Sequence, residues 1–434
     1  MNITKFLRNK TIKNAGWLMA GKVVHMILSF VIGLISARYL GPSNYGLINY
    51  ASAYVTFFTS VCTLGINSII VKNFVDKPDE EGESLGTSIV LRLVSSFLSV
   101  GVISFIVRMI DGNEPVTLVV VTLYSISLVF TSFDIFRQWF QSKLLSKYYA
   151  VATLVSYLIA SGYKLYLLIT GKSVEWFAVS NSIDHLIVAL LLYAFYKKCN
   201  GPKLSFSRKK AKELLSVSCS YILAGLMTSI YASTDKLMLK QLMSESSVGY
   251  YALAVSISSM WTFVLSALIE SISPSIMQCH NTDKKKYEIL NKRLYALVFY
   301  FSLFASVVIC LIAPLFIKIV YGEDYLPAVS SLRIVVWFVA FSYLGVARNV
   351  WVVCEKKQRY LKYLYLGSAV SNIILNVIMI PILGEKGAAI ASLLTQISTV
   401  FVFPCFIKEM RPNVKMMTEA VLLKGVFQKT QNNK

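Results

Sequence analysis

The amino-acid sequence predicts an all-α integral membrane protein with about twelve transmembrane helices. Three observations lead to this prediction: an apolar composition, a series of long apolar runs, and basic residues concentrated in alternate connectors. Apolar residues form 56% and charged residues 15% of the 434 positions, and the mean hydropathy is +0.61. Soluble domains contain about 45–50% apolar and about 25% charged residues. A soluble fold of this length would therefore lack polar surface.

The apolar runs have the length of membrane-spanning helices. Each contains roughly 20 residues or more, enough to cross a hydrocarbon core about 30 Å thick. The first run follows basic residues, as in a signal peptide. However, it continues to about Ser36 without a small-residue cleavage site, so we interpret it as a retained helix. The predicted spans are 13–36, 46–71, 85–110, 116–139, 148–170, 174–196, 213–236, 247–272, 294–318, 328–352, 360–382 and 386–407.

Lysine and arginine residues are distributed unequally between the two sides of the predicted helices. Of the 43 basic residues, 31 lie in the two terminal segments and the even-numbered connectors, whereas 7 lie on the opposite side. Because cytoplasmic connectors are enriched in Lys and Arg, both termini are predicted to be cytoplasmic. Topology thus explains most of the net charge of +21, and the distribution argues against nucleic acid as a partner.

Weak internal similarity divides the chain into two halves of six helices. Short segments near the start recur 202 to 204 residues later, for example Leu18–Gly21 and Ile222–Gly225. Parallel repeats of this kind place a substrate site between them, near the membrane midplane. We predict an N-terminal six-helix bundle over 1–197, a basic cytoplasmic linker over 198–212, a C-terminal six-helix bundle over 213–408, and a basic cytoplasmic tail over 409–434.

Short connectors and missing catalytic signatures favour a transporter over an enzyme. No connector is long enough to fold as a domain, and the sequence contains no GxxxxGK[ST], HExxH or GxSxG pattern. The seven cysteines include no CxxC pair and the three histidines are far apart, so no metal site is predicted. We therefore predict no catalytic residues and no cofactor. A membrane-embedded polysaccharide polymerase and a non-transporting assembly scaffold are competing hypotheses.

Basic side chains inside the predicted spans are candidates for binding an anionic substrate. Lys22 lies about 15 Å along the first helix, too deep to reach the interface easily, and His25 lies one turn further on. Four other cations lie nearer to helix ends, where a cavity-lining role and an interfacial position are both open. They are Arg92, Lys164, Arg333 and Arg348. Cations outnumber anions at depth, which favours a pyrophosphate head group over the cationic substrates of a drug or cation antiporter.

Acidic residues and a histidine inside the spans are candidates for coupling transport to an ion gradient. They are Asp184, His185, Asp235 and Glu270. Buried carboxylates and histidines are the usual groups of proton relays. Protons and sodium ions are both open as coupling ions. Asp184 is equally well explained as a structural partner of Lys22 or Lys164.

Three sequence motifs follow one another along nearly the whole chain. They are Ala37–Gly46 (ARYLGPSNYG), Ser233–Leu239 (STDKLML) leading into Ser247–Tyr251 (SVGYY), and Asn372–Asn376 (NIILN) continuing through Pro381, Gly384 and Gly387–Ala389. In this order and with this topology, they resemble the motifs of polysaccharide-repeat-unit flippases. These are the O-antigen and capsule flippases of the multidrug/oligosaccharidyl-lipid/polysaccharide superfamily.

This resemblance implies two six-helix bundles in a V shape around a cationic central cavity, with alternating access. The implied substrate is an undecaprenyl-pyrophosphate-linked oligosaccharide, flipped to the outer leaflet of the bacterial plasma (inner) membrane for lipopolysaccharide or capsule assembly. Implied partners are membrane lipid, a polysaccharide polymerase and a chain-length regulator. Arg38 and the pair Asp235–Lys236 correspond to charged positions of the family motifs, although Arg38 and Lys236 are also placed to anchor helix ends. Twelve spans favour the repeat-unit branch over lipid II flippases, which commonly have fourteen.

Overall fold

The structure is a computed structural model that describes residues 10–112, 114–280 and 282–427, except for the side chains of residues 10–25, 27, 68, 219, 220, 223 and 224. Within these ranges every regular element is helical, so the all-α prediction is confirmed. The α-helices are α1 (Lys10–Cys62), α2 (Asn67–Asp76), α3 (Glu81–Ile110), α4 (Pro115–Ser125), α5 (Ser127–Thr131), α6 (Ile135–Ser142), α7 (Lys147–Ile169), α8 (Val174–Lys198), α9 (Arg208–Leu242), α10 (Glu245–Ser259), α11 (Thr262–His280), α12 (Lys284–Val320), α13 (Ala328–Cys354), α14 (Leu361–Leu383), α15 (Glu385–Ile397) and α16 (Arg411–Val421).

Among the described residues, nine helical segments are long and apolar enough to cross a membrane, which makes the chain a multi-pass membrane protein. They coincide with the predicted third to sixth and eighth to twelfth spans. The segments are Pro78–Ile110, Pro115–Ser142, Lys147–Ile169, Val174–Lys198, Glu245–His280, Lys284–Val320, Ala328–Cys354, Gln358–Leu383 and Glu385–Phe406. The predicted first, second and seventh spans lie in α1, α2 and α9, and α1 and α9 include side chains outside the described set.

A sharp kink divides α1 into two arms that correspond to the first two predicted spans. Gly41 at the kink has φ 69° and ψ 173°, a conformation that glycine adopts with little steric cost. Pro42 follows, and it suits the first turn of the second arm because its backbone needs no N–H donor there. The Gly-Pro pair of the first motif thus forms a helix–helix corner.

The chain divides into two compact units, residues 1–233 and 234–434, and the division falls inside α9. The core of the N-terminal unit includes the buried rings of Phe136, Trp139 and Tyr196. The core of the C-terminal unit includes the buried rings of Tyr295 and Trp351. Each unit therefore has its own apolar core. The bundle boundaries at 197 and 213 stay a prediction.

The predicted linker, residues 198–212, is attached to the N-terminal unit along the first turns of α3. The backbone N–H of Ser205 donates to the carbonyl of Gly82 at 3.2 Å. A Cβ on Gly86 would lie 2.4 Å from the Ser205 carbonyl oxygen, so only glycine allows this approach. These contacts hold the linker on the helix surface.

An ion pair fastens the end of the same linker. Lys210 is 2% exposed, and its ammonium donates to Glu80 at 2.5 Å and to Glu213 at 3.3 Å. Burial alone would lower the pKa of Lys210, but the hydrogen bonds to both carboxylates raise it above its usual value. The ammonium is therefore charged at neutral pH. Ion pairs as well as close backbone packing attach the linker to the N-terminal unit.

We predict that Gly86→Ala lowers the stability of the protein by about 1–3 kcal/mol, because the added methyl group collides with the linker backbone. Gly101→Ala on the same helix is the matched control, since nothing lies within 4 Å of a Cβ at that position. Thermal unfolding of both variants in detergent checks the prediction. Equal melting temperatures for the two variants would show that the linker does not dock at Gly86.

Candidate functional site

A tight corner between α14 and α15 brings polar side chains of both helices together. Gly384 at the corner has φ +58°, a conformation that favours glycine. A Cβ on Gly387 would lie 2.2 Å from the Met379 carbonyl oxygen, so the two helices touch backbone to backbone. The small residues of the third motif thus allow Asn376 on α14 and Ser392 on α15 to reach one carboxylate.

That carboxylate belongs to Asp235, near the end of α9, and it accepts hydrogen bonds from three other helices. Asn376 Nδ2 donates to Oδ1 at 2.6 Å, and Ser392 Oγ donates to Oδ2 at 2.5 Å. The Tyr251 hydroxyl on α10 also donates to Oδ2. Asp235 is only 6% exposed. Removing a carboxylate from water is costly unless it is hydrogen-bonded, and these donors meet that requirement.

Some oxygen atoms beside the carboxylate can still accept a hydrogen bond or coordinate a cation. The second hydrogen bond of Asn376 Nδ2 goes to Asn372 Oδ1 at 3.1 Å. Asn376 Oδ1 and Thr395 Oγ1 are buried and form no hydrogen bond within the described part of the chain. One carboxylate with neutral oxygens nearby can take up a proton or a small monovalent cation. In the described ranges, no three His, Cys, Asp or Glu side chains are grouped to hold a metal ion.

Sequence reasoning predicted Asp235 but not its donors. Tyr251 and Asn376 lie in the quoted motifs without an assigned role, and Ser392 and Thr395 were not selected. The only sequence signal for the last two is their spacing of three residues, which places both on one face of a short apolar helix. That pattern is too common in membrane helices to identify a site.

Arg92 is buried at an interruption between α1 and α2. Its Nη2 donates to Asn67 Oδ1 at 2.6 Å and makes a longer contact of 3.4 Å with the Thr63 carbonyl. Leu64 and Gly65 in the interruption have φ values of 51° and 63°. Because Arg92 is 1% exposed, it is not an interfacial side chain. Its contacts are those of a residue that braces a broken helix.

Asp184 and His185 lie among other charged groups in the N-terminal unit. Ser156 Oγ donates to Asp184 Oδ1 at 2.5 Å, and Lys164 lies close enough to Asp184 to interact electrostatically. His185 has a similar interaction with Asp134, which the sequence reasoning did not select. Asp184 is therefore within electrostatic range of Lys164, and both of its predicted explanations, a structural partner and a coupling group, stay predictions.

The other predicted cations have varied environments. Arg348 is 2% exposed, and its Nη1 donates to the Thr399 carbonyl at 3.0 Å, within a π-helical turn over Ser398–Val402. Arg333 is exposed, and its Nε donates to the Cys310 carbonyl at 3.3 Å. Arg348 therefore stabilises an irregular turn, whereas Arg333 lies at the surface of its unit.

Arg38 and Glu270 are exposed and Lys236 is partly exposed. The side chains of Lys22 and His25 lie outside the described residues. The structure therefore brings Asp235 into a polar cluster of the C-terminal unit and places Asp184 and His185 in the N-terminal unit. The roles of all these residues in substrate binding or ion coupling stay predictions.

Comparison with protein families gives a match over most of the chain. Residues 35–330 match the family described as "Polysaccharide biosynthesis protein". A curated relative, the probable flippase AglR of Haloferax volcanii, is 26% identical over 396 residues. That alignment covers 86% of this chain and 78% of the relative.

Comparison with solved structures identifies the fold. The lipid II flippase MurJ, in an inward closed conformation, matches with a TM-score of 0.75 and 14% identity, covering 94% of this chain and 90% of MurJ. An inward-facing multidrug resistance MATE family transporter of the MOP superfamily matches with a TM-score of 0.64 and 15% identity, covering 91% and 96%. At these identities the matches show a shared fold, and they agree with the predicted fold class.

We predict that Asp235→Asn lowers the stability of the protein by about 1–3 kcal/mol, because the new amide NH₂ faces one of the three donors and leaves it unpaired. Asp111→Asn is the matched control. Asp111 is also a buried carboxylate that accepts from a tyrosine hydroxyl, that of Tyr50 at 2.8 Å, so Asp111→Asn removes the same charge outside the cluster. Thermal unfolding of both variants provides the comparison. A smaller loss for Asp235→Asn than for Asp111→Asn would contradict the described cluster.

Proposed function

Because the chain belongs to the polysaccharide biosynthesis protein family, we propose that it flips an undecaprenyl-pyrophosphate-linked oligosaccharide repeat unit across a bacterial plasma membrane. The observation that carries this proposal is the similarity between 86% of the chain and a probable flippase. The fold, shared with flippase and multidrug transporter structures, is compatible with alternating access. The flipped unit would supply surface polysaccharide such as O-antigen or capsule.

The direction of transport follows from the distribution of basic residues. With 31 of the 43 basic residues on the side of both termini, that side is the cytoplasm. Lipid-linked repeat units are proposed to enter from this leaflet and to leave in the outer leaflet. The polyprenyl tail would stay in lipid throughout, because only the polar head group is costly to move through hydrocarbon.

Recognition of the pyrophosphate is assigned to cations inside the spans. Lys22, with His25 one turn away, and the motif residues Arg38 and Lys236 are the proposed contacts, since Lys and Arg bind phosphate oxygens strongly. Arg92 and Arg348 are secondary candidates, because both are buried and one nitrogen of each guanidinium already donates, to Asn67 and to the Thr399 carbonyl. Lys164, which is partly exposed, and Arg333, which is exposed, are also secondary candidates for binding the pyrophosphate.

Coupling to an ion gradient is assigned to the Asp235 cluster. Its carboxylate has hydroxyl and amide partners from three helices, so binding of a proton or a sodium ion would change hydrogen bonds on four helices at once. Asp184 already has Lys164 as a cationic neighbour, and Glu270 is exposed. Those two groups, with His185, are therefore weaker candidates for coupling.

Two rival functions would need features that this sequence lacks. A drug or cation antiporter has the same fold, but it would need an acidic cavity, whereas cations outnumber anions within these spans. A polymerase would need a large extramembrane loop for its catalytic groups, and the connectors are too short. We propose instead that a polymerase and a chain-length regulator act on the flipped product as separate proteins.

A strain lacking this chain tests the assignment. We expect complete polyprenyl-linked repeat units to accumulate in the cytoplasmic leaflet, with loss of surface polysaccharide, because their synthesis precedes the missing step. The measurement is extraction of lipid-linked oligosaccharides with leaflet-specific labelling. Complete units in the outer leaflet of that strain would contradict flipping of this substrate, and restored flipping by the reintroduced chain is the control.

If Asp235 binds the coupling ion, that ion should stabilise the folded protein. A ligand at a hundred times its Kd stabilises the protein that binds it by about 2.7 kcal/mol. Sodium chloride should therefore raise the melting temperature relative to choline chloride if sodium is the ion. Asp235→Asn should abolish the effect and Asp111→Asn should retain it. An effect that is equal in both variants would remove Asp235 from coupling.

A further inference from the structure

Residues after the last span form a structured element rather than a free tail. On one side α16 contributes the buried Met416, Met417 and Ala420 to the core of the C-terminal unit. Asn413 Nδ2 donates to the Tyr295 hydroxyl of α12 at 2.8 Å, and both residues are buried. Amphipathic packing of this kind fixes which side of α16 faces outwards.

Polar contacts with α12 fix the rest of this element. Arg293 Nε donates to the Val426 carbonyl at 2.9 Å, and the Tyr300 hydroxyl donates to the Val421 carbonyl at 2.7 Å. Lys292 forms an ion pair with Glu419, and its hydrogen bond lowers the pKa of that carboxyl group. The segment up to residue 427 is therefore attached to one end of α12.

That end of α12 lies where the helix leaves the membrane. With 37 residues α12 is about 55 Å long, whereas a hydrocarbon core is about 30 Å thick. The surplus is at the basic end, which begins with Lys284–Lys286 and includes Lys292 and Arg293. Since α16 is attached to α12 between residues 292 and 300, and the predicted span begins at residue 294, we infer that α16 lies at the membrane boundary.

The outward side of this element combines cations with large apolar side chains. Lys408, Lys415 and Lys424 are exposed. Phe427 is 79% exposed and Leu422 is 58% exposed. Residues 284–293 and 408–427 together contain nine basic and three acidic side chains, and the acidic Glu419 is already paired. Basic side chains beside exposed aromatic rings are typical of segments that bind an anionic lipid surface.

We propose that the exposed side of residues 408–427 is an interaction surface for the anionic phospholipid head groups of the adjacent leaflet. Lys408, Lys415 and Lys424 contact the phosphates, while Leu422 and Phe427 enter the apolar layer beneath them. The positive charge and the position at the membrane surface favour lipid over a soluble protein as the occupant. This inference concerns the membrane around the chain and does not depend on the transported substrate.

The test uses the purified full-length chain in a mixture of phosphatidylglycerol and phosphatidylcholine. Native mass spectrometry measures the ratio of the two lipids retained by the protein. We expect the wild type to retain phosphatidylglycerol preferentially and K408Q/K415Q/K424Q to lose this preference several-fold. The matched control is K198Q/K209Q/K212Q, which removes three exposed lysines of the linker and should keep the preference.

A second measurement covers the case in which the triple variant does not fold. Raising the ionic strength should reduce the phosphatidylglycerol preference of the wild type, because salt screens exposed charges. Retention of the preference by the folded K408Q/K415Q/K424Q variant, or an equal loss in the control variant, would overturn the proposal. A wild type with no preference between the two lipids would also overturn it and would leave a protein partner as the occupant.

Discussion

A carboxylate inside a membrane bundle is stable only if neighbouring helices supply its hydrogen bonds, and Asp235 places this requirement on the C-terminal unit. Its donors Asn376, Ser392 and Tyr251 come from three helices. They converge because Gly387 lets α15 touch α14. The helix packing and the polar site therefore depend on each other. A change in the charge of this one group alters contacts on four helices, which is what an ion-driven conformational change requires.

The buried arginines meet the same requirement only in part, because Arg92 Nε and Nη1 and Arg348 Nε form no hydrogen bond within the described residues. Arg92 finds its acceptors at the break between α1 and α2, and Arg348 finds its acceptor in the π-helical turn near the end of the last span. In both places the helix departs from regular hydrogen bonding, so that a carbonyl oxygen accepts from a side chain. Irregular backbone and buried charge thus stabilise each other. Charges inside the spans are accordingly of two kinds, those that hold a bundle together and those proposed to meet substrate or ion.

Hydropathy was sufficient to predict the all-α fold and the nine spans identified among the described residues, because crossing a hydrocarbon layer demands long apolar helices. The sequence motifs were sufficient to select Asp235. Its partners could not be predicted, since Ser392 lies 157 residues away and nothing local distinguishes it from other serines in apolar helices. Similarly, only packing shows that Arg92 and Arg348 are buried rather than interfacial. The docked helix α16 was also missed, because its apolar positions are too few to resemble a span and its contacts lie on α12.

Transport by the isolated protein is the most direct test of the account. The purified chain is reconstituted into liposomes with a fluorescent polyprenyl-pyrophosphate oligosaccharide, and a membrane-impermeant quencher reports which leaflet holds the head group after a sodium or proton gradient is imposed. We expect gradient-dependent movement of the head group by the wild type, and its loss in Asp235→Asn but not in Asp111→Asn. Equal leaflet distributions with and without the wild-type protein, under both gradients, would contradict it.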